Sequence, residues 1–202
     1  MTRLMRTSEI SGLPVVTLAG DDVAQVKDVV FAGDGGAVVG FTLAGRGLLA
    51  GPLKTALAWT SVVGLGPDAV MVEGEESLRP AEEVRAAAET TAGSTRGGNV
   101  LGDQVLTDGG TDLGKVVDVV VQLDGSEVCD VVGYEIEASE SLAARASNAA
   151  KGTRLFVPLP DTLAVSGEHL MVPASAESFV AGDLAGFGAA VLEFRAQLEK
   201  GA

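Results

Sequence analysis

The sequence predicts a mainly β protein made of two small antiparallel β-barrels in tandem, with a linker helix and a C-terminal amphipathic helix. Three observations predict it. Val15 to Phe31, VVTLAGDDVAQVKDVVF, recurs as Val105 to Val121, VLTDGGTDLGKVVDVVV, at a constant shift of 90 positions. An internal repeat of this length divides the chain before any isolated motif is weighed. Each copy continues into short apolar runs separated by glycine-rich or acidic turns. Such runs cannot bury two separate sheet faces, which argues for a small closed or nearly closed barrel. Finally, Leu184, Phe187, Val191, Phe194 and Leu198 recur at spacings of three and four, the period of a helix with one apolar face.

Taken in order, Met1 to Gly12 is a lead-in where Thr7-Ser8-Glu9-Ile10 can make one helical turn. Leu13 to Leu18 reads as a strand, Ala19 to Asp22 as a turn and Val23 to Phe31 as the next strand. Ala32-Gly33-Asp34-Gly35-Gly36 is a hairpin turn whose glycines tolerate positive φ, and Val38 to Leu43 is the third strand. Ala44 to Leu57 reads as irregular, since Pro52 cannot occupy a central ladder position. Ala58-Trp59-Thr60 resumes extended structure, with the Trp59 ring in the core or at the barrel rim. Val62 to Gly66 and Ala69 to Val72 complete the module. Pro80, followed by Glu82 and Glu83, starts a helix over Ala81 to Glu89, and Thr90 to Asn99 has linker composition.

The second module copies the first with longer loops. Val131-Val132-Gly133-Tyr134 matches Val38-Val39-Gly40-Phe41, the alanines of Leu142 to Ala150 suggest a short helix, and Leu155 to Leu159 is a strand. Leu163 to Val172 matches Val63 to Val72 at a shift of 100. Ala174 to Ala202 has no equivalent in the first module. There Asp183 is an N-cap and Gly201 a stop for the amphipathic helix, which either covers its own barrel or supplies a subunit interface. The expected division is 1–90 for the first domain with its trailing helix, 91–99 for a linker, 100–174 for the second domain and 175–202 for the C-terminal helix.

Composition narrows the function. Fourteen basic residues stand against 28 acidic ones, a formal charge of -14. Direct nucleic-acid binding draws on neutralised phosphates and is not expected here, nor is attraction to an anionic membrane surface. A basic protein surface remains open as a partner. One cysteine, Cys129, excludes an intrachain disulfide or a thiolate metal cluster and suits a reducing cytoplasm. Arg3 and Arg6 resemble the start of a signal peptide, but the apolar run after them is short, interrupted by Pro14 and stopped by Asp21-Asp22. No uncharged stretch reaches membrane-spanning length, so membrane insertion is not expected.

Candidate chemistry is sparse. Asp28 and Asp118 occupy matched strand positions, one per module, and read as outward residues or local hydrogen-bond acceptors. His169, the single histidine, falls in an expected solvated turn, and Cys129 lies between Glu127 and Asp130, whose charges oppose a thiolate. The glycine clusters join strands and lack the helix that a phosphate-binding loop requires. No catalytic, cofactor or metal residues are assigned. Leu48 and Leu49, in a glycine-rich stretch, either close a barrel end or face a partner. With Leu184, Phe187, Val191, Phe194 and Leu198 they are the candidate interface residues.

The residues then carry a family likeness. Leu13-Pro14-Val15, Gln25 to Val29 and Ala58 to Gly66 resemble a PRC-barrel domain, the small β-barrel of the photosynthetic reaction centre H subunit and of a ribosome maturation factor. Gly102 to Val121 and Val157 to Val172 resemble it a second time. The resemblance implies no shared catalytic residues and a barrel that binds proteins. The expected function is therefore a non-enzymatic interaction or scaffold protein of unassigned pathway, cytoplasmic and homodimeric, without cofactor. The alternative is a small-ligand module or minor enzyme with a pocket between the barrels, lined by Asp118, Tyr134 or His169.

Overall fold

The computed structural model describes residues 2–33, 35–47, 50–90, 100–125, 128–145, 152–160, 164–166 and 169–201. The chain divides into two compact units, Met1–Gly97 with Gln122–Asp130, and Gly98–Val121 with Val131–Ala202. The expected linker 91–99 lies outside the described residues.

The first stretch carries β1 (Thr2–Arg6), α1 (Thr7–Ile10), β2 (Pro14–Thr17), β3 (Asp22–Phe31), β4 (Val38–Ala44) and β5 (Pro52–Ala58). A 3-10 turn at Trp59–Ser61 leads to β6 (Val62–Leu65), β7 (Val70–Val72), β8 (Leu78–Pro80) and α2 (Ala81–Thr90). Its sheet runs β6-β7-β2-β3-β4-β5-β8 and forms a half-barrel around Ile10, Val15, Phe41, Leu43, Leu57 and Val70. The Trp59 ring is buried edge-on against Phe41, with centroids 6.1 Å apart. The segment read as irregular holds β5 because Pro52 takes its first position, where a missing N–H costs least, and Ala56 and Leu57 are buried.

The second stretch carries β9 (Gln104–Thr107), β10 (Asp112–Asp124), β11 (Val128–Ala138), α3 (Glu140–Arg145), β12 (Arg154–Pro158), β13 (Ala164–Ser166), β14 (His169–Val172), a 3-10 segment at Ala174–Phe179 and α4 (Leu184–Gly201). Its sheet path is β12-β11-β10-β9-β14-β13.

The repeat extends to the register. Val15 faces Ala24 and Val70, while Val105 faces Gly114 and Leu170. Both β2–β3 and β9–β10 carry a bulge at the same place, between Val15/Val16 and between Asp112/Gly114. Both turns close on a buried threonine whose Oγ1 accepts the N–H four residues on, Thr17 from Asp21 at 3.1 Å and Thr107 from Thr111 at 3.0 Å. Gly20 and Gly110 follow at φ +93° and +80°, which other residues adopt only under strain.

Two antiparallel barrels, however, are not what the chain forms. The β2–β7 and β9–β14 pairs are parallel, so each sheet is mixed. In the second unit the path is open, with β12 and β13 at its ends, and no second barrel exists among the described residues. The outer edge of β12 is met instead by Ala181, which exchanges both backbone hydrogen bonds with Phe156 before the chain enters α4. That edge is thereby closed to a barrel-completing strand.

Candidate functional site

Each unit has a strand glycine that lets a helix approach the sheet. Gly40 on β4 faces Ala58 on β5, and Gly133 on β11 faces Pro158 on β12. A Cβ on Gly40 would lie 2.8 Å from Val84 Cγ1 of α2 and would press on the Leu57 carbonyl. A Cβ on Gly133 would run into the Phe187 ring of α4 and the Val157 carbonyl. Upstream of each helix the chain pairs with the neighbouring strand, Arg79 with Ala56 in one unit and Ala181 with Phe156 in the other. Helix α4 is therefore the counterpart of α2, and Ala174 to Ala202 does have an equivalent in the first module. The likeness is invisible in sequence because a phenylalanine does on α4 what a valine does on α2.

The other feature is the free side of β6, the end strand of the half-barrel. Val15, Thr17, Val62, Val70 and Val72 are buried, so strand alternation turns Val16, Leu18, Val63 and Met71 to the opposite face. Val16 and Met71 are register partners. Leu18 is 62% exposed and Val63 43%. A cleft of about 290 Å³ beside this strip is lined by Thr60, Ser61, Val62, Val63, Glu73, Glu76, Ser77 and Arg79. Two carboxylates against one guanidinium give it acidic character. Sequence reading named none of this strip as an interface, although Leu18, apolar and out of phase with Val15 and Thr17, is the signal that could have found it.

The candidate interface residues are placed as follows. Leu48 and Leu49 lie outside the described residues. Phe187, Val191 and Phe194 are buried in the second unit, where Phe187 meets Phe156 with centroids 5.5 Å apart and Phe194 meets Phe179 at 5.6 Å. Leu184 and Leu198, at either end of that stripe, are half-buried, and Leu192 on the other side of α4 is exposed.

The titratable candidates do not assemble a reaction centre. Asp28 is exposed, 3.2 Å from Thr42 Oγ1 and 3.1 Å from Lys27 Nζ. Asp118, its counterpart in the repeat, is buried and accepts the Val119 N–H at 2.8 Å. Tyr134 on β11 and half-buried His169 on β14 are separated by β10 and β9. His169 opens a strand, where a solvated turn was expected. Burial, helped by the Asp103 carboxylate, pushes the Tyr134 phenol well above its ordinary range. Cys129 is buried in β11, and burial followed by the Asp130 charge pushes its thiol up to about 12. It is a poor nucleophile at neutral pH. No cluster of three potential metal ligands occurs among the described residues, and no helix there is long and apolar enough to cross a membrane.

No curated protein matches the chain. The family model described as PRC-barrel domain matches residues 3–79, a span that ends before α2. The half-barrel at the start of this chain is a PRC-barrel domain.

Proposed function

We propose that this chain is a non-enzymatic protein-interaction or scaffold protein of unassigned pathway. The observation that carries the reading is the apolar strip on the PRC-barrel domain in which Leu18 and Val63 are exposed and Val16 and Met71 half-buried. Apolar side chains held on a rigid sheet, rimmed by charge, are what a protein partner recognises. The family resemblance supports the same role, since its barrels bind proteins. The charge of -14 favours a partner with a basic face.

The test is a photo-crosslinking side chain introduced singly at Leu18, Leu101 or Leu192, three exposed positions, in the full-length protein inside cells. A discrete protein adduct, strongest from Leu18, is the expected result. No protein adduct from any of the three positions would overturn the reading.

A further inference from the structure

The free edge of β6 has the features of a receptor for one more strand. It ends the sheet, so the backbone groups on its far side have no strand partner among the described residues. The bulge between Val62 and Gly64 leaves Val63 as the extra residue, and its side chain stands out into solvent. At Gly64 the position of a Cβ meets nothing within 4 Å, so the face of β6 beside Val63 is open to the side chains of an added strand. The acidic cleft with Glu73 and Glu76 opens at this same edge.

We propose that β6 takes up an extended, basic segment of a partner protein as an added strand. This deepens the interaction reading above and rests on it. Main-chain hydrogen bonds to β6 supply register, while alternate side chains divide between two environments. Apolar residues of the segment lie along Val63 on the receiving strand, and lysine or arginine residues reach Glu73 and Glu76 at the cleft. Because β6 is only four residues long, the ladder alone is short and the carboxylates carry much of the selectivity. The net charge of -14 draws a basic segment and repels an acidic one.

The experiment uses the full-length protein and an N-acetylated nonapeptide alternating lysine and valine. Its companions are a glutamate-valine peptide and a lysine-valine peptide N-methylated at alternate backbone nitrogens, which keeps the charge but cannot pair as a strand. Binding is read by fluorescence anisotropy, and the site by amide chemical shifts. The proposal expects the lysine-valine peptide to bind and to shift the amides of Val63, Gly64 and Leu65, with at least tenfold weaker binding by both companions. The Glu73→Lys, Glu76→Lys double variant, altered only at exposed positions, loses at least tenfold for the same peptide. Equal binding of the N-methylated peptide, or shifts confined to another surface, overturns strand addition while leaving the interaction reading intact. No binding of the lysine-valine peptide also overturns it, and the crosslinking result then judges the broader reading separately. If the β6 amides are already protected in a dimer of this chain, the occupant is a second copy and the proposal falls.

Discussion

Replacing Gly133 by alanine tests whether helix docking depends on a bare backbone at that strand position. Gly133 has no positive φ, so its conformation admits alanine, and a glycine in a strand interior is ordinarily worse than alanine by about 0.5–1 kcal/mol. On propensity alone the change should stabilise. The structure reverses the sign, because the new methyl group would overlap the Phe187 ring and the Val157 carbonyl. The carbonyl belongs to a paired strand and cannot move far, so Phe187 must leave its place against Phe156. Overpacking of this kind costs about 1–3 kcal/mol, and each kcal/mol lowers the melting temperature of a unit this size by roughly 4–8 °C. Hydrogen exchange read by mass spectrometry locates the effect: α4 should lose protection while α2 keeps it. Gly40→Ala should do the converse through Val84. If Gly133→Ala raises stability and leaves α4 protection unchanged, the docking argument is refuted.

Three further outcomes follow from the same geometry. The Phe187→Asp, Phe194→Asp double variant places two charges at fully buried positions and should unfold the second unit, seen as loss of exchange protection in β12; a folded protein with only a changed solution mass by light scattering would contradict this. Thr17→Val and Thr107→Val each remove the hydroxyl that accepts a turn N–H and should cost about 1 kcal/mol apiece in urea titrations; a large inequality would deny the two turns the same role. Cys129, raised from 9.0 to about 12 in the folded chain, should resist thiol reagents at pH 8 until denaturant is added. The unfolded chain releases that proton first, so stability is full below pH 9 and declines between pH 9 and about 12, a decline that Cys129→Ala should lessen.

The sequence carried the local geometry better than the closure of the sheets. Identity at Val15, Thr17, Gly20 and Asp22 with Val105, Thr107, Gly110 and Asp112 implied one shared turn, and its bulge and threonine bond are indeed the same in both copies. Alternation cannot say which distant strand lies alongside, so the parallel pairing of β2 with β7 and of β9 with β14 was not legible. Barrel closure depends on those non-local choices. The stripe of Phe187, Val191 and Phe194 predicted a helix without predicting what it covers, because an apolar face is the same for a core and for a partner. At the β6 edge the residues are ordinary one by one, and only the turning of Val63 and Leu18 to the open face, beside Glu73 and Glu76, makes a surface of them.

The two counterpart helices differ in what holds them, which leads to a ranking. Among the described side chains of α2, Val84 and Ala88 are buried, and the Ala88 carbonyl accepts the Gly33 N–H at 2.9 Å. Helix α4 buries Phe187, Val191 and Phe194. At about 1.5–3 kcal/mol for each large apolar side chain and about 0.8 kcal/mol for a methyl group, α4 gains roughly 2–5 kcal/mol more from its contact. The local opening of α2 should therefore be the easier one, and a difference of that size corresponds to amide exchange faster by about thirty-fold to several thousand-fold. Native-state exchange of the unmodified protein measures the ratio directly, with the central turns of α2 compared against those of α4. Equal protection would mean that packing area does not set helix retention here. A faster α2 would make it the detachable cover of the PRC-barrel domain, and the face around Gly40 would then be the next surface on which to look for a competing helix.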